Sequence, residues 1–377
     1  MKSLLKNTFF IFVLIGSMNS FGQNGILSKN ARVSIITCDT GNESYSLFGH
    51  TAIRITDLEK NLDVVFNYGA FDFKTPNFVA KFTKGDLQYF AVANAFSDFM
   101  NQYTYEKRSV FEQELNIPQA KKQKLLDNLT ATLSSSESYY TYKFIDKNCT
   151  SMVVDILNKT LGTNVVVKKT DTDKTYRSIL YPYFDTVFYE KLGTSIIFGK
   201  KVDEYGTRIF LPLELHKSLK LLQYENHPLC KESKTILQFK KETSISWWDN
   251  FYTYVFLLAF IVLLNKKNVD VFYLFTIGLL GLFFAFMGFY SFHEELAYNY
   301  NILLFNPLLL VLLYFYYTKN IKWIINLSIA NLLFLLVYIL FMLNKIHVLI
   351  VLPLVVTSII VLVKIIISES RRIPVVI

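Results

Sequence analysis

The last third of the chain contains very few charged residues. Hydrophobic residues make up 52% of the 377 positions, and the excess lies after Trp247. A water-soluble domain does not contain such long uncharged stretches, so this region is expected to lie in a membrane. The net charge of +9 comes from lysines that are dispersed or flank the apolar stretches. This distribution favours a membrane surface, and not a nucleic acid, as the partner of that charge.

Cysteine is also scarce, since the chain has only Cys38, Cys149 and Cys230. A disulfide between Cys38 and Cys230 would leave Cys149 as a free thiol, although sequence alone does not fix the pairing. No metal-ligand spacing, phosphate-binding loop or glycine-rich nucleotide motif occurs. We therefore expect neither a bound metal nor a soluble cofactor.

The N-terminus has the pattern of an export signal. Lys2 and Lys6 precede a short apolar run over residues 9–15, and small residues follow at positions 20–22. The run is shorter than a membrane span, which favours a cleavable signal peptide over an uncleaved anchor helix. We predict a signal peptide at 1–22, a periplasmic domain at 23–245 and a membrane domain at 246–377.

The membrane domain contains five apolar stretches. Most of them approach the roughly 20 residues that a spanning helix needs. The third is short and contains Asn306 and Pro307, so it could be a tilted or re-entrant helix. The sequence thus predicts an all-α bundle of about five transmembrane helices. The stretches are residues 247–264, 271–292, 302–317, 321–343 and 346–367.

The loops between these stretches alternate in charge. Because cytoplasmic loops collect Lys and Arg, the basic loops are expected inside. This orientation places the preceding domain and the loop that contains His293 outside the cytoplasm, in agreement with the export signal. The residues expected inside are Lys266, Lys267, Lys319, Lys322, Arg371 and Arg372.

The exported domain has the pattern of an α+β fold. Segments rich in β-branched and aromatic residues predict short strands at 33–37, 51–56, 64–68, 88–92 and 109–115. Asn116 is predicted to cap a helix that has Pro118 in its first turn and runs to about residue 133. A second helix is predicted to start at Cys149 and to end at Gly162, because apolar residues recur there at helical spacing.

The position of Cys149 at a helix start suggests chemical reactivity. The helix dipole and the free backbone N–H groups of a first turn favour a thiolate. A base would have to come from His50, His216 or His227, the histidines that precede the membrane region. A single cysteine and a distant histidine are, by themselves, more often structural or incidental than catalytic.

Three short runs resemble the Lnb-type bacterial lipoprotein N-acyltransferases. The soluble part of that family is similar to permuted NlpC/P60-like (papain-like) and lecithin-retinol acyltransferase folds, in which a strand histidine precedes a helix-start cysteine. The resemblance implies that Cys149 is the nucleophile and His50 its base. The runs are Thr37-Cys38-Asp39-Thr40-Gly41, Phe48-Gly49-His50-Thr51-Ala52-Ile53-Arg54 and Asn148-Cys149-Thr150-Ser151.

A third catalytic residue is less clearly marked. Relatives of the broader fold carry a second histidine or a polar residue on the strand after the first histidine. In this chain the corresponding strand offers Asn67, followed by Tyr68 and Asp72. Asn67 is our first choice, since Tyr68 could equally belong to the core and Asp72 could cap a turn.

Several other residues are candidates for substrate binding. Glu43 and Ser46 lie in the loop before His50, and loops often carry functional residues, although they carry solvated ones as well. Arg54 could bind a phosphate or pair with a carboxylate. Tyr68 could line the pocket. The outer loop of the membrane domain adds His293, Asn299 and Asn301, which could bind a lipid headgroup or simply be interfacial polar residues.

The resemblance implies a reaction and its partners. A fatty acyl chain would pass from a membrane phospholipid, through a Cys149 thioester, to the α-amine of the lipidated N-terminal cysteine of a lipoprotein. The protein would lie in the bacterial inner membrane as a multi-pass protein with its catalytic domain on the periplasmic side. Two alternatives remain open at this point: a cysteine peptidase or amidase acting on cell-wall peptides, and a non-enzymatic membrane receptor or scaffold.

Overall fold

A computed structural model describes residues 25–240 and 246–372 of the chain. The predicted signal peptide at 1–22 lies outside the described residues, and the predicted boundary between the two domains falls at the gap 241–245. The first part contains a β-sheet with helices on both faces, and the second part is entirely helical. The mixed α and β character of the exported domain is therefore confirmed.

The central sheet has seven strands in the order β6-β4-β3-β2-β1-β5-β9, and every neighbouring pair is antiparallel. The five strands predicted from β-branched and aromatic content correspond to β1 to β5. A separate hairpin is formed by β7 and β8. The strands are β1 Arg32–Cys38, β2 His50–Asp57, β3 Leu62–Ala70, β4 Gln88–Ala95, β5 Val110–Glu114, β6 Tyr139–Thr141, β7 Gln223–Tyr224, β8 His227–Pro228 and β9 Lys234–Leu237.

Seven α-helices accompany the sheet. Helices α3 and α4 pack together, and α4 also contacts β2 and β3. Helix α2 contacts β3 and β4, and its buried side chains belong to a different core cluster from those of α3 and α4. The helices are α1 Phe78–Lys84, α2 Phe96–Tyr105, α3 Gln119–Ser134, α4 Cys149–Leu161, α5 Tyr176–Leu180, α6 Phe188–Ile197 and α7 Pro212–Leu219.

The start of α3 differs from the prediction. Pro118 is the N-cap residue and Gln119 the first helical residue. The predicted cap, Asn116, instead uses its side-chain amide at 3.1 Å from His227 Nδ1 and 3.3 Å from the Pro228 carbonyl. The prediction of an Asn116 cap is wrong because the Asn116 side chain is hydrogen-bonded to a residue more than 100 positions away along the chain.

The three cysteines are all free, which overturns the possible disulfide between Cys38 and Cys230. Alternate residues of β1 point to opposite sheet faces. Cys38 packs with Ile36 in the core cluster on one face, whereas Cys230 belongs to the cluster that contains Val33 and Ile35 on the other. The sheet therefore separates the two sulfur atoms.

All five apolar stretches of the second part contain helix, but only three helices are long and apolar enough to cross a membrane. A fourth candidate span is bent by 42° between residues 294–303 and 308–317, and α8 has only 14 residues. The structure thus supports three to four candidate spans, fewer than the predicted five. The helices are α8 Phe251–Leu264, α9 Lys267–Tyr290, α10 Leu308–Tyr317, α11 Ile321–Met342 and α12 Val348–Ser370.

The bend in the fourth candidate span has a local cause. Asn306 and Pro307 separate its two helical pieces, as the sequence suggested. At the same place Gly281 of α9 lies so close to the Phe305 carbonyl that any side chain at position 281 would overlap it. The missing side chain lets the interrupted backbone pack directly against α9.

Lys364 connects three helices at one end of the bundle. Lys364 of α12 donates to the Val262 carbonyl of α8 at 2.9 Å and lies 3.9 Å from Asp270 near the start of α9. This end is distinct from the one that carries Tyr300 and His347, which faces the sheet-containing part.

A buried polar network joins the two parts of the chain. The Arg177 guanidinium donates to Asp203 at 2.7 Å, and both side chains are at least nine-tenths buried. Tyr300, from the membrane region, donates to the other Asp203 oxygen at 2.6 Å and lies 3.1 Å from His347 Nε2. Lys345 adds a second positive charge, 3.6 Å from Asp203. Because these partners are fixed from both sides, the junction is rigid.

Helix α6 forms the second part of this junction. Its residues from Phe188 to Ile197 pack against the membrane-region core, although they precede the first apolar stretch. Asn299 donates to the carbonyls of Ile196 and Ile197 at 2.9 and 3.0 Å, and Asn301 donates to Ile196 at 3.0 Å. Side chains of the membrane region therefore satisfy carbonyl groups that a helix end leaves unpaired.

Replacing Arg177 should destabilise the whole protein. In Arg177→Met the Asp203 carboxylate stays buried and loses its principal partner, which typically costs about 3–5 kcal/mol. We expect a thermal unfolding midpoint several degrees lower in detergent micelles, followed by circular dichroism. Arg208→Met is the control, because Arg208 is 41% exposed and pairs with Asp155 at 3.2 Å on the surface. Its loss should be about 0–1 kcal/mol. Equal midpoints for the two variants would contradict a buried junction.

Candidate active site

Cys149 is the first residue of α4, and the residue before it holds it there. Asn148 Oδ1 accepts hydrogen bonds from the backbone N–H groups of Thr150 and Ser151 at 2.9 and 3.0 Å. In return, the Ser151 hydroxyl accepts from the Asn148 N–H at 2.8 Å. These reciprocal bonds form a capping box, which fixes the start of the helix. The prediction that a helix begins at Cys149 is confirmed.

The other end of the Asn148 amide is also occupied. Its Nδ2 donates to the Phe144 carbonyl at 2.7 Å and to the Phe210 carbonyl at 2.9 Å. The first bond closes the turn that precedes Cys149, and the second attaches that turn to a segment more than 60 residues further along the chain. The sulfur atom is therefore placed by a fully bonded, buried side chain.

His50 reaches Cys149 from the sheet. It is the first residue of β2, and its ring nitrogen Nε2 lies 3.1 Å from Asn67 Oδ1 on β3. The His50 ring is also hydrogen-bonded to the Cys149 sulfur. Because Nε2 is already paired with Asn67, we assign the nitrogen that faces the sulfur as Nδ1. The structure thus brings together the three residues that the sequence placed in the catalytic group.

Asn67 is oriented by its own neighbours. It is buried, and its Nδ2 donates to the Val65 carbonyl at 3.3 Å and to Asn94 Oδ1 at 3.2 Å. With both donor contacts taken, its oxygen points to His50 and accepts the Nε2 proton. Asn94, on β4, was not identified from the sequence, because a polar residue on a partly exposed strand gives no specific signal.

The electrostatics of the pair favour a thiolate and an imidazolium. Burial acts to raise the pKa of Cys149, but the His50 charge and hydrogen bond, the Thr51 N–H and the Thr150 hydroxyl outweigh it, so the pKa is lowered from 9.0. Burial acts to lower the pKa of His50, but Cys149 and Asn67 outweigh it, so that pKa is raised from 6.5. Each charge stabilises the other.

Two further features shape the surroundings of the Cys149 sulfur. One leaves space beside it, and the other fixes the first turn of α4 against β2. Gly69 has a φ of +99°, and a Cβ built there would lie 3.6 Å from the Cys149 Cβ, so a side chain at 69 would narrow the approach to the sulfur. On the helix side, the hydroxyls of Thr51 and Thr150 are 3.0 Å apart and fully buried. This contact attaches β2 to the first turn of α4.

The remaining histidines of the exported domain lie elsewhere. His216 packs on the Phe111 ring, with centroids 5.6 Å apart, and burial lowers its pKa to about 4. His227 contacts Asn116 in the β7–β8 hairpin. Of the three histidines that the sequence offered, only His50 is bonded to Cys149.

Arg54 and Tyr68 have structural partners. Arg54 is paired with Asp63 at 2.7 Å and Glu112 at 3.3 Å and covers the Phe96 ring, so the carboxylate alternative describes it and a phosphate is not needed to balance its charge. Tyr68 is buried in the main core cluster.

The loop residues Glu43 and Ser46 shape the approach to β2. The Ser46 hydroxyl and N–H both donate to the Glu43 carbonyl, at 2.9 and 2.8 Å, and the Ser46 carbonyl accepts from the Gly41 N–H. Ser46 is buried, while Glu43 is exposed. Ser46 therefore holds the turn, and Glu43 supplies its backbone to that turn.

The membrane-loop candidates contact the exported domain but not the Cys149 sulfur. His293 Nε2 lies 2.9 Å from the Phe82 carbonyl near α1. Asn299 and Asn301 bind the end of α6, and Asn301 also accepts from the Tyr338 hydroxyl at 2.7 Å. Their observed role is to join the two parts. Within residues 25–240 and 246–372, no group of three or more His, Cys, Asp or Glu side chains could hold a metal ion.

The fold and the site define a membrane protein whose sheet-containing domain carries a cysteine–histidine pair at a helix start. Residues 20–181 match the Lnb N-terminal periplasmic domain, and residues 251–372 match the Lnb transmembrane domain. The chain therefore belongs to the Lnb family and has a periplasmic part and a membrane part. No curated protein and no solved structure matches the chain.

Alkylation should reveal the lowered pKa of Cys149. Because the thiolate is the reacting form, the rate with iodoacetamide should rise through a midpoint below pH 9.0. In His50→Ala the effect of burial is no longer opposed by the imidazolium, so the midpoint should move to higher pH. The rate at neutral pH should fall roughly tenfold for each unit of that move.

The control for this measurement is Cys149→Ser, which should remove labelling of the folded protein. Cys38 and Cys230 are buried, and burial raises the pKa of Cys230 to about 12. An unchanged pH profile in His50→Ala would show that His50 does not act on the thiol.

Removing the Asn67 amide should weaken the pair without abolishing it. Asn67→Ala deletes the acceptor that fixes the His50 ring, and a hydrogen bond to a charged group contributes about 1.5–3 kcal/mol. We expect alkylation of Cys149 to slow by roughly tenfold to a hundredfold at neutral pH. Asn94→Ala should have a smaller effect, because Asn94 acts only through Asn67. A larger effect from Asn94→Ala than from Asn67→Ala would contradict this arrangement.

Proposed function

We propose that this protein is a lipoprotein N-acyltransferase that moves a fatty acyl chain from a membrane phospholipid to the α-amine of a lipoprotein's lipidated N-terminal cysteine. The observation that carries the proposal is the bonded group Cys149–His50–Asn67 in a domain fixed to a membrane bundle. The chain belongs to the Lnb family. Three of its sequence runs resemble the Lnb-type lipoprotein N-acyltransferases, so family membership supports the same reaction.

In the first half-reaction the Cys149 thiolate attacks the carbonyl carbon of a phospholipid ester. A carbon–sulfur bond forms and the ester carbon–oxygen bond breaks. The His50 imidazolium gives its proton to the departing alkoxide, so the lysophospholipid leaves as an alcohol. The products are a Cys149 thioester and a neutral His50.

In the second half-reaction the neutral α-amine of the acceptor attacks the thioester carbon. A carbon–nitrogen bond forms, and the carbon–sulfur bond breaks. His50 takes the proton that the amine loses, which restores the thiolate and imidazolium and leaves an amide on the lipoprotein. No oxidant, metal or soluble cofactor is needed for this balance.

The oxyanion of each step needs hydrogen-bond donors near the sulfur. In the first turn of α4, Asn148 occupies the N–H groups of Thr150 and Ser151. For the N–H of Cys149 itself, no partner is found among the described residues. We therefore assign this group as the first-turn donor to the oxyanion.

The membrane bundle has a direct use in such a reaction. Donor and acceptor are both anchored in the bilayer, so a catalytic domain fixed at the same surface meets them at a high effective concentration. The Arg177–Asp203–Tyr300 network provides a rigid attachment of that kind. We place the protein in the bacterial inner membrane, with residues 23–245 on the periplasmic side and 246–377 as a multi-pass domain.

The fold relationship belongs to the same proposal. A strand histidine precedes a helix-start cysteine in this chain, as it does in permuted NlpC/P60-like domains. The antiparallel sheet that carries His50 and Asn67 against the start of α4 is compatible with that relationship. The order of the two residues along the chain supports it.

The deciding experiment is mass spectrometry of an exported lipoprotein from cells that lack this protein. Complementation with the wild type should add the mass of one acyl chain, and Cys149→Ala should not. His50→Ala should lower the rate by about 10²–10⁴-fold, the usual contribution of a general base. Asn128→Ala, which removes a hydrogen bond between α3 and Thr160 away from the sulfur, is the control.

The alternatives predict different products. A peptidase or amidase would leave the lipoprotein mass unchanged and release peptide fragments from cell-wall material. A receptor or scaffold would keep full biological activity in both Cys149→Ala and His50→Ala. An unchanged lipoprotein mass in the deletion strain, with no second enzyme of this activity present, would refute the transferase.

A further inference from the structure

The segment between β3 and β4 exposes large apolar side chains. We refer to residues 71–84, which include α1, as the lip. Within it Phe73, Val79 and Phe82 are 71%, 74% and 45% exposed. Soluble surfaces seldom carry such side chains in a group, and an exposed apolar group of this kind marks a contact with another apolar phase.

The lip is fixed at the end of a candidate membrane span. The Lys84 carbonyl accepts from the Phe292 N–H at 2.7 Å, and the Thr83 carbonyl accepts from the Ser291 hydroxyl at 2.9 Å. His293 adds a contact to the Phe82 carbonyl at 2.9 Å. These three residues directly follow α9, so the carbonyl end of α1 is bonded to the point where that span ends.

The exposed face continues onto the span itself. Phe289, Tyr290 and Phe292 are 95%, 46% and 55% exposed beside the lip. The Lys84 ammonium lies 5.9 Å from the Tyr290 ring and 5.3 Å from the Phe292 ring. Aromatic side chains at a span end are typical of the boundary between lipid and water. The apolar side chains of the lip therefore adjoin a lipid-facing surface.

The charge of the lip suits a phospholipid surface. Lys74, Lys81 and Lys84 contribute three positive charges, against one negative charge from Asp72, and Lys84 is paired with Asp86 at 2.7 Å just beyond the lip. Among the described residues, neither Lys74 nor Lys81 has a carboxylate partner within 4.0 Å. Lysines beside exposed apolar side chains bind the phosphates of the headgroup layer while the apolar groups enter the acyl region.

We propose that the lip inserts into the outer face of the membrane, with Phe73, Val79 and Phe82 among the lipid acyl chains and Lys74 and Lys81 at headgroup phosphates. The occupant of this surface is the phospholipid leaflet, because the lip is bonded to the end of α9 and its exposed side chains adjoin those of that helix. This contact goes beyond the acyl transfer reaction and does not require it.

A row of aromatic rings runs from the lip toward the candidate active site. Phe78 stacks on Phe82 at 6.5 Å, Phe71 lies 5.8 Å from Phe78, and Tyr89 lies 5.2 Å from Phe71. Tyr89 then stacks on Tyr142 at 4.4 Å, near the turn before Cys149. The row holds the lip in a fixed position relative to the sulfur. If the proposed function holds, this places the sulfur close to the leaflet that supplies its donor.

Spin labels can measure the depth of the lip directly. We would place a nitroxide at position 79 through Val79→Cys and, as the control, at position 105 through Tyr105→Cys. Tyr105 is 89% exposed and lies at the end of α2, which makes no hydrogen bond to the described membrane residues. Both variants carry Cys149→Ser, so that the reactive native thiol is not labelled, and both are placed in phosphatidylethanolamine–phosphatidylglycerol nanodiscs.

The ratio of oxygen accessibility to nickel-chelate accessibility should be several-fold higher at position 79 than at position 105, because oxygen concentrates in the acyl region and the chelate stays in water. Equal ratios would overturn the proposal. Low accessibility of position 79 to both reagents would also overturn it, since that result indicates a protein contact, such as a second copy of the chain. The measurement uses protein without Cys149, so its result is independent of whether the wild type transfers acyl chains.

Discussion

The placement of the Cys149 sulfur depends on the hydrogen bonds of one buried amide. Asn148 accepts two hydrogen bonds from the first turn of α4 and donates two to carbonyls of Phe144 and Phe210. Capping alone would position the helix start, but the two donor bonds also fix the preceding turn against a distant segment. Cys149 follows this residue directly, so its sulfur is held where the helix dipole favours a negative charge.

The sheet supplies the complementary charge. The antiparallel register pairs Ala52 with Asn67. This register brings the start of β2 close enough to β3 for His50 to bond both Asn67 and Cys149. Burial opposes both charged groups, and their mutual attraction outweighs it. A partly buried ion pair of this kind is reactive toward carbonyl carbon without a metal, which is why the proposed acyl transfer fits the site.

The junction gives the site its location. Arg177, Asp203 and Tyr300 form a buried network across the two parts, and asparagine side chains of the membrane loop cap α6. The same loop region contacts α1 through residues 291–293. With two separate attachments, the exported domain cannot swing freely above the membrane. The Cys149 sulfur therefore keeps a constant relation to the bilayer surface that the family architecture implies.

Signals that act between close neighbours could be found in the sequence. β-Branched and aromatic content predicted β1 to β5, and the apolar stripe and Gly162 predicted α4, because composition and helical spacing are local properties. The sequence also contained the Asn148 to Ser151 capping pattern, but the prediction of the helix did not identify the capping box. The resemblance of three runs pointed to Cys149 and His50, and the strand after His50 offered Asn67 as the third residue. The fold brings these three residues together. Apolar length suggested five spans, whereas helix length and the 42° bend support three or four.

The sequence did not reveal the contacts between residues that are far apart along the chain. Arg177 and Tyr300 are 123 positions apart, and their contact leaves no periodic pattern. Asn116 is hydrogen-bonded to a residue 111 positions away, and the prediction that it caps a helix was wrong. Arg54 pairs with a carboxylate 58 positions away, and the sequence had left its partner open between a phosphate and a carboxylate. Cys38 and Cys230 are kept apart by the sheet, which composition cannot express. The sequence was enough to indicate the export pattern, the apolar stretches, the strands and the pair Cys149 and His50. Only the tertiary structure decided the junction, the orientation of Asn67 by Asn94 and the exposed lip. The reason is that hydrogen bonding and burial depend on neighbours in space, not on neighbours along the chain.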